Sequence, residues 1–372
     1  MSDAFDPAEE FWRALQDSAR DAAEANGTSP SEEITDHVYN RLIARVFTAG
    51  ADGWMTDGGR SLVLRYPGSR TTTDLDVSST AEGGRDRVVA DFLRAASTDL
   101  GDFVRFEVAS TETFTTPPGA QVDFAVTCGG KPVDGISVDI VLSPPLSGAP
   151  DTRPLPPPLV SVGTAVRDPG VRVRPLLDQM ANKIGGLFIH WDGLPPTRAK
   201  DLADILLMAA NEDFSGRELH RATHTEFARI RERGNILHVP PRFEVPDASW
   251  EQRYAKAVSR VPGCPQRTLD EALPVARALL DPLLRADPPD ADWDHRRGRW
   301  VGPAEDATRA APRAQWRSGA DVVALDTPSP GLPRPASPRP EGLPEAAERH
   351  RPPRRPQDPP RQPGDPPRRP RR

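Results

Sequence analysis

The chain has 372 residues, enough for two compact units or one domain with appendages, and its 44 prolines and 37% hydrophobic content favour a folded body with a tail that cannot build a core. Net charge is −6, yet nine arginines against Asp358 and Asp365 give residues 349–372 a local +7, so the remainder carries −13 and lends no support to a broad basic, DNA-binding face. Cys128 and Cys264 stand apart from each other and from any Cys/His cluster, which argues against structural zinc or a disulfide framework, and an acidic N-terminus without an apolar run leads us to expect a cytoplasmic protein with no membrane contact.

In chain order, residues 1–33 read as an amphipathic helix carrying Phe5, Phe11, Trp12 and Leu15, broken at Asn26 and Gly27 and followed by a Ser/Pro/Glu linker. The spacing of Val38, Leu42, Ile43 and Val46 predicts a helix over 34–49. Strands are predicted over 61–66, 103–108, 121–126 and 136–142, and Val88, Val89, Phe92 and Leu93 mark a helix over 85–96. The order α-β-α-β-β-β implies an α+β fold, a mixed sheet with helices on it, occupying 34–145. A proline-rich connection over 144–169 leads to a helical half within 146–284, with helices predicted over 176–189, 200–210, 216–233, 250–261 and 269–284, the last aided at its start by Asp270. Beyond about Arg285 the apolar periodicity stops, and residues 285–372 read as a disordered Pro/Arg-rich tail.

Chemistry concentrates in residues 54–77. Asp74 and Asp76, at i and i+2 in an extended segment, point to one side of a sheet and can bridge two hard cations. Oxygen ligands suit Mg²⁺, and two Mg²⁺ ions on a carboxylate cluster are what phosphoryl or nucleotidyl transfer needs. Gly58 and Gly59, fifteen residues upstream of Asp74 and before a predicted strand, can bring backbone N–H groups to a triphosphate, with the Ser61 hydroxyl as a further donor. Asp139 interrupts the apolar run of 136–142, where a carboxylate is costly unless paired or metal-bound; Asp123 interrupts a strand too, with a shorter apolar flank.

The run over 54–77 is similar to the first motif of nucleotidyltransferases of the AbiEii/AbiGii abortive-infection toxin type, in which Gly-Gly precedes an apolar strand and an Arg-x-Thr-x-Asp-Leu-Asp segment. Lys183, the block Thr197, Arg198, Lys200, Asp201 and Asp204, and the block Trp250, Arg253 and Tyr254 resemble later family motifs, so the likeness covers roughly 34–284. It implies a nucleotidyltransferase core over 34–145 completed by the helical half, with Asp74, Asp76 and Asp139 as ligands of two Mg²⁺ ions. NTP would meet Gly58, Gly59, Ser61, Arg70, Thr72 and Lys200. Lys183, bordering the buried side of its helix, is expected at a phosphate, its loss lowering the rate with little effect on stability. Asp201 and Asp204, neighbours on a helix surface, would orient Lys183 or the acceptor. Where the family commonly has Lys before the glycines this chain has Asp57, which calls for a compensating cation among Arg60, Arg65 and Arg70. The implied function is NMP transfer from NTP to a tRNA 3′ end or a protein hydroxyl, by a phage-defence toxin with a separately encoded antitoxin. The rival readings are a nucleotide- or partner-binding module without turnover, and transfer to a small molecule such as an antibiotic.

Overall fold

Apolar spacing at the start of the chain produces two long helices, α1 (Pro7–Asn26) and α2 (Pro30–Gly50), which pack on each other through Phe11, Leu15, Val38 and Leu42. The computed structural model describes residues 7–50, 53–68, 70–81, 83–115, 117–143, 145–162, 170–190 and 193–302; Phe5 and the Pro/Arg-rich segment from 303 onward lie outside them. After α2 come β1 (Trp54–Asp57), α3 (Gly58–Arg65), β2 (Leu75–Ser79), α4 (Gly84–Ala96), β3 (Val104–Thr115), β4 (Pro118–Cys128), β5 (Lys131–Leu142), β6 (Asp151–Arg153) and β7 (Val171–Val173). They build a mixed seven-stranded sheet in the order β3-β4-β5-β2-β1-β7-β6. β2 runs parallel to β5 and antiparallel to β1, so the three strands that carry carboxylates are adjacent. One face of the sheet is covered by α1, α2 and α4 around Leu75, Val77, Val122, Val138 and Ile140.

The helical half follows: α5 (Leu176–Gly186), β8 (Ile189–His190), α6 (Ala199–Asn211), β9 (Phe214–Ser215), α7 (Gly216–Glu232), β10 (Ile236–Leu237), α8 (Ser249–Val258), α9 (Leu269–Leu283), β11 (Asp292–Asp294) and β12 (Arg299–Val301). Its core centres on Leu202, Leu206, Trp250, Tyr254, Leu279 and Trp293. α9 is capped by Thr268, whose side chain accepts from the Glu271 amide while Glu271 reaches back, a reciprocal arrangement that leaves Asp270 merely in the first turn. None of the described helices is long and apolar enough to cross a membrane.

Two expectations are corrected. The strand expected over 61–66 is not formed: residues 61–65 belong to α3, with Tyr66 at its C-terminal cap, and the helix sends Leu62 into the helical core and Leu64 into the sheet core. A short apolar run buried on both sides has no period that distinguishes strand from helix, and the Asp57 cap decides it. Ordered structure also continues past Arg285, because β11 pairs with β9 and brings Trp293 into the core, where its Nε1 donates to the Ala209 carbonyl at 2.8 Å. Trp293→Ala is therefore expected to cost about 3–5 kcal/mol, read as a lowered urea midpoint; an unchanged midpoint would show that this hairpin adds nothing to the fold.

Candidate active site

The sheet register sets the site. Asp57 of β1 lies directly opposite Asp76 of β2, Asp76 opposite Asp139 of β5, and Asp139 opposite Gln121 of β4. Three carboxylates thus stand in line across adjacent strands, alternating out of the core that Leu75, Val77, Val138 and Ile140 enter. Asp74 is exposed immediately before β2 and within electrostatic reach of Asp76 and Asp139. Like charges directly opposed destabilise a sheet, so each must be compensated or held for a ligand.

Asp57 is compensated twice. One carboxylate oxygen accepts from the Gly58 amide at 2.8 Å, capping α3, and the other accepts from Arg174 Nε at 2.5 Å. Arg174 follows β7, and its amide donates to the Thr56 carbonyl at 3.0 Å, so the strand pairing aims it. The expected cations do other work: Arg60 pairs with Asp36, Arg65 with Asp151 and Arg70 with Asp204. Sequence reasoning missed Arg174 because its strand has three residues and follows a proline-rich connection. Asp139 accepts from Gln121 Nε2 at 3.0 Å. Asp123, the rival, sits opposite Ser137 and accepts from the hydroxyls of Ser110 and Ser137, which hold its carboxyl below the ordinary range.

Asp76 has neither a hydrogen bond nor an ion pair to its carboxylate among the described residues. Burial first, then the charges of Asp57 and Asp139, push its pKa up to about 6, against a weaker opposing pull from Lys183. Gly58 makes this proximity possible. Its φ is 55°, and a Cβ there would fall on the Asp76 carboxylate. Gly58 and Gly59 therefore open α3 rather than precede a strand, and a Cβ on Gly59 would strike Arg70 and Thr72. Ser61, expected as a triphosphate donor, is fully buried and donates to Gln179 Oε1 at 3.1 Å, while Gln179 Nε2 donates to the Gly58 carbonyl at 2.8 Å.

Lys183, expected at the border of its helix, is enclosed. Its Nζ lies 3.0 Å from Asp201 and 2.6 Å from Asp204, two carboxylates that are wholly buried and not on a helix surface. Arg198 pairs with Asp201 at 2.5 Å and Arg70 with Asp204 at 2.7 Å, so three cations share two carboxylates. Burial opposes charge on Lys183 and Asp201, but their partners prevail: Lys183 is held above and Asp201 below the ordinary range. Asp76 is within electrostatic reach of Lys183 and Arg198, which places the surplus positive charge near the carboxylate row. Lys200 is exposed and, with Thr72 and Arg70, lines a cleft beside Asp74 instead of reaching the row. Tyr39, another residue missed in the sequence, donates to the Thr73 carbonyl at 2.6 Å and carries the Arg60 guanidinium 4.9 Å above its ring, holding the segment that leads to Asp74.

Chemically, the row offers hard oxygen donors, one of them unpartnered and crowded by like charge, which suits a divalent cation. Among the described residues no three His, Cys, Asp or Glu side chains converge as a finished cage, so the fit rests on the donor set and on Asp76.

A sheet with this carboxylate row, an α3 N-terminus beside it and a buried Lys/Asp cluster behind it is the equipment of a nucleotidyltransferase. The family model described as "Nucleotidyl transferase AbiEii toxin, Type IV TA system" matches residues 41–317, and the chain belongs to that family: it is an NTP-using nucleotidyltransferase of the toxin type. Among solved structures it is similar to MenT4, a nucleotidyltransferase toxin from Mycobacterium tuberculosis H37Rv, with 18% identity and a TM-score of 0.44 over 73% of this chain and 96% of that one. It is also similar to a putative nucleotidyltransferase from H. pylori, with 14% identity and a TM-score of 0.38 over 67% of this chain and 94% of the other. No curated protein matches the chain in sequence.

The burial of Lys183 reverses the expected stability of its variants. Lys183→Ala leaves two carboxylates in the core, so it is expected to lose about 3–5 kcal/mol; a melting temperature within about 2 °C of wild type would show that Asp201 and Asp204 do not depend on it. Asp76 behaves in the opposite sense. Its folded pKa lies above the unfolded value, so the stabilising contribution is present at low pH and is lost as pH rises through about 6. Asp76→Asn should match wild type near pH 4 and exceed it by on the order of 2 kcal/mol at pH 8 without metal, a figure reduced for partial exposure. Thermal unfolding across pH checks this, and a variant no more stable than wild type at pH 8 would remove the like-charge crowding.

Proposed function

We propose that the chain transfers a nucleoside monophosphate from an NTP to an acceptor with Asp74, Asp76 and Asp139 holding divalent metal, two Mg²⁺ ions in the full site. The observation that carries this reading is the unpartnered, partly buried Asp76 between two other carboxylates, beside the glycine-opened α3. Bound metal would supply charge neutralisation to the polyphosphate and activation to the attacking oxygen. The protein's own part is orientation. The Gly58 and Gly59 backbone brings the α3 N-terminus to the phosphates, where the amides that follow Gly58, whose own N–H is held by Asp57, favour negative charge. Lys183 acts from behind, lending the row a positive potential while Asp201 and Asp204 fix its position. Arg70 ties the Asp74 segment to that cluster through Asp204, and Thr72 lies alongside.

Membership in a toxin–antitoxin family supports an antitoxin encoded separately, and the proposal adds a role in abortive infection within the cytoplasm. The acceptor in this proposal is a tRNA 3′ end or a protein hydroxyl. Pyrophosphate release from each NTP, with Mg²⁺ and with or without total tRNA, tests the reading. Wild type should release pyrophosphate, and Asp74→Ala and Asp76→Asn should lower the rate at least about a hundredfold while remaining folded. Wild-type turnover by Asp76→Asn, or no turnover by wild type with any NTP, would overturn it.

A further inference from the structure

A cleft of about 260 Å³ opens between the segment before β2 and α8, lined by Arg70, Asp74, Lys200, Arg253, Lys256 and Arg260 together with threonine hydroxyls. Asp74 is the single carboxylate among its lining residues. Basic residues nearer the carboxylate row are neutralised: Arg60, Arg65, Arg70, Arg174, Lys183 and Arg198 each have an acidic partner. Lys200, Arg253, Lys256 and Arg260 are exposed and, among the described residues, have no ion pair; Arg253 Nε donates only to the Ser249 hydroxyl at 3.0 Å. Four cations without an ion pair stand around one cleft and repel one another within a Debye length, tempered by the exposed carboxylates of Glu32 near Arg260 and Asp247 near Arg253, on a chain whose net charge is −6. A bound anion would relieve that repulsion.

The arrangement also has direction. Arg253 and Lys256 are one turn apart on α8, and Arg260 follows two residues after its end, so the three charges extend over roughly 10 Å. The Thr71 amide donates to the Arg260 carbonyl at 2.9 Å, fixing the end of this basic run to the segment that carries Asp74. A single phosphate would engage only part of it; linked phosphates would engage all of it. We propose that the cleft is a second phosphate-binding site, distinct from the α3 N-terminus, that takes linked phosphate groups leading away from Asp74. The proposal rests on the reading of the Asp74–Asp76 row as the transfer site. The shared chemistry is phosphate oxyanions, supplied either by the polyphosphate tail of the NTP or by the backbone of an acceptor strand.

The test uses the full chain and two probes: inorganic tripolyphosphate with Mg²⁺ by calorimetry, and a fluorescent single-stranded oligoribonucleotide by anisotropy across a salt series. The variant combines Arg253→Ala, Lys256→Ala and Arg260→Ala, all at exposed positions, and Arg13→Ala, Arg87→Ala and Arg94→Ala together form a control of equal charge change. The cleft variant should bind at least one probe about tenfold or more weakly, and for the oligonucleotide the log–log salt slope should shrink by about 2–3, with melting temperature unchanged and the control like wild type. Loss for tripolyphosphate alone identifies the NTP tail; loss for the oligonucleotide alone identifies an acceptor strand. Wild-type affinity of the cleft variant for both probes, an equal loss in the control, or no binding of either probe by wild type would overturn the proposal. Pyrophosphate release by wild type is followed in parallel, so an inactive chain that still binds through the cleft refutes the transfer reading and not the site.

Discussion

Like-charge opposition across three neighbouring strands is the constraint on which the rest of this structure turns. Register places Asp57, Asp76 and Asp139 opposite one another, and a slip of one residue in β2 would exchange Asp76 for Leu75 or Val77 and drive a carboxylate into the core. The two outer members are satisfied within the fold, one by Arg174 and the cap of α3, the other by Gln121. Among the described residues the central one alone is left without a partner, and Gly58 passes so close to it that no side chain fits at that position. The fold thereby keeps one strained carboxylate in a defined place, and the proposed metal site follows from that economy of partners.

The helical half answers the row electrically. Lys183, Arg198 and Arg70 surround Asp201 and Asp204 in a network that is mostly buried, where an ion pair is weak evidence of net stability because desolvation offsets much of the attraction. What such a network does provide is geometry: α5 and α6 can dock in one alignment only if Lys183 meets both carboxylates, and Arg70 then fastens the segment before β2 to the same cluster. Position of the sheet's carboxylates and position of the helical half are in this way one problem with one solution.

How much of this was legible beforehand depended on the range of the signal. The long helices were, because α2, α4, α6, α7 and α9 carry several turns of 3.6-residue periodicity. The alignment of Asp76 with Asp139 across neighbouring strands was foreshadowed, since Asp139 interrupts an apolar run and Asp76 belongs to an i, i+2 acidic pair, whereas Asp74 falls just before β2; that the three hold metal is our proposal. α3 was not, because six of its eight residues are buried, Arg60, Ser61 and Arg65 among them, so polar and apolar positions do not separate into faces that reveal the period. Arg174 and Gln121 were invisible because their roles arise from pairing between strands distant in sequence, and the family likeness pointed to Arg60, Arg65 and Arg70 only because they are near Asp57 along the chain. Lys183 shows the same limit from another side: helical spacing put it at the edge of an apolar stripe, but only the approach of α6 encloses it.

Net charge misled in a related manner. A sum of −6 averages an acidic body with arginines near the C-terminus and says nothing of where within the body the cations go unpaired. Most arginines around the row are consumed by carboxylates, several of them at the far ends of long sequence separations such as Arg174 with Asp57 and Arg65 with Asp151. That consumption is what gives the few unpaired cations beside α8 their meaning, since an uncompensated charge is informative only against a background in which compensation is the rule. The backbone bond from Thr71 to Arg260 then joins the two electrostatic regimes, a negative row that would gather cations and a positive cleft that would gather phosphates, at a separation fixed by the fold. A reaction that parts a phosphate ester from its neighbour needs both signs of charge in adjacent, immobile places, and a short segment between Arg70 and Asp76 supplies the boundary between them.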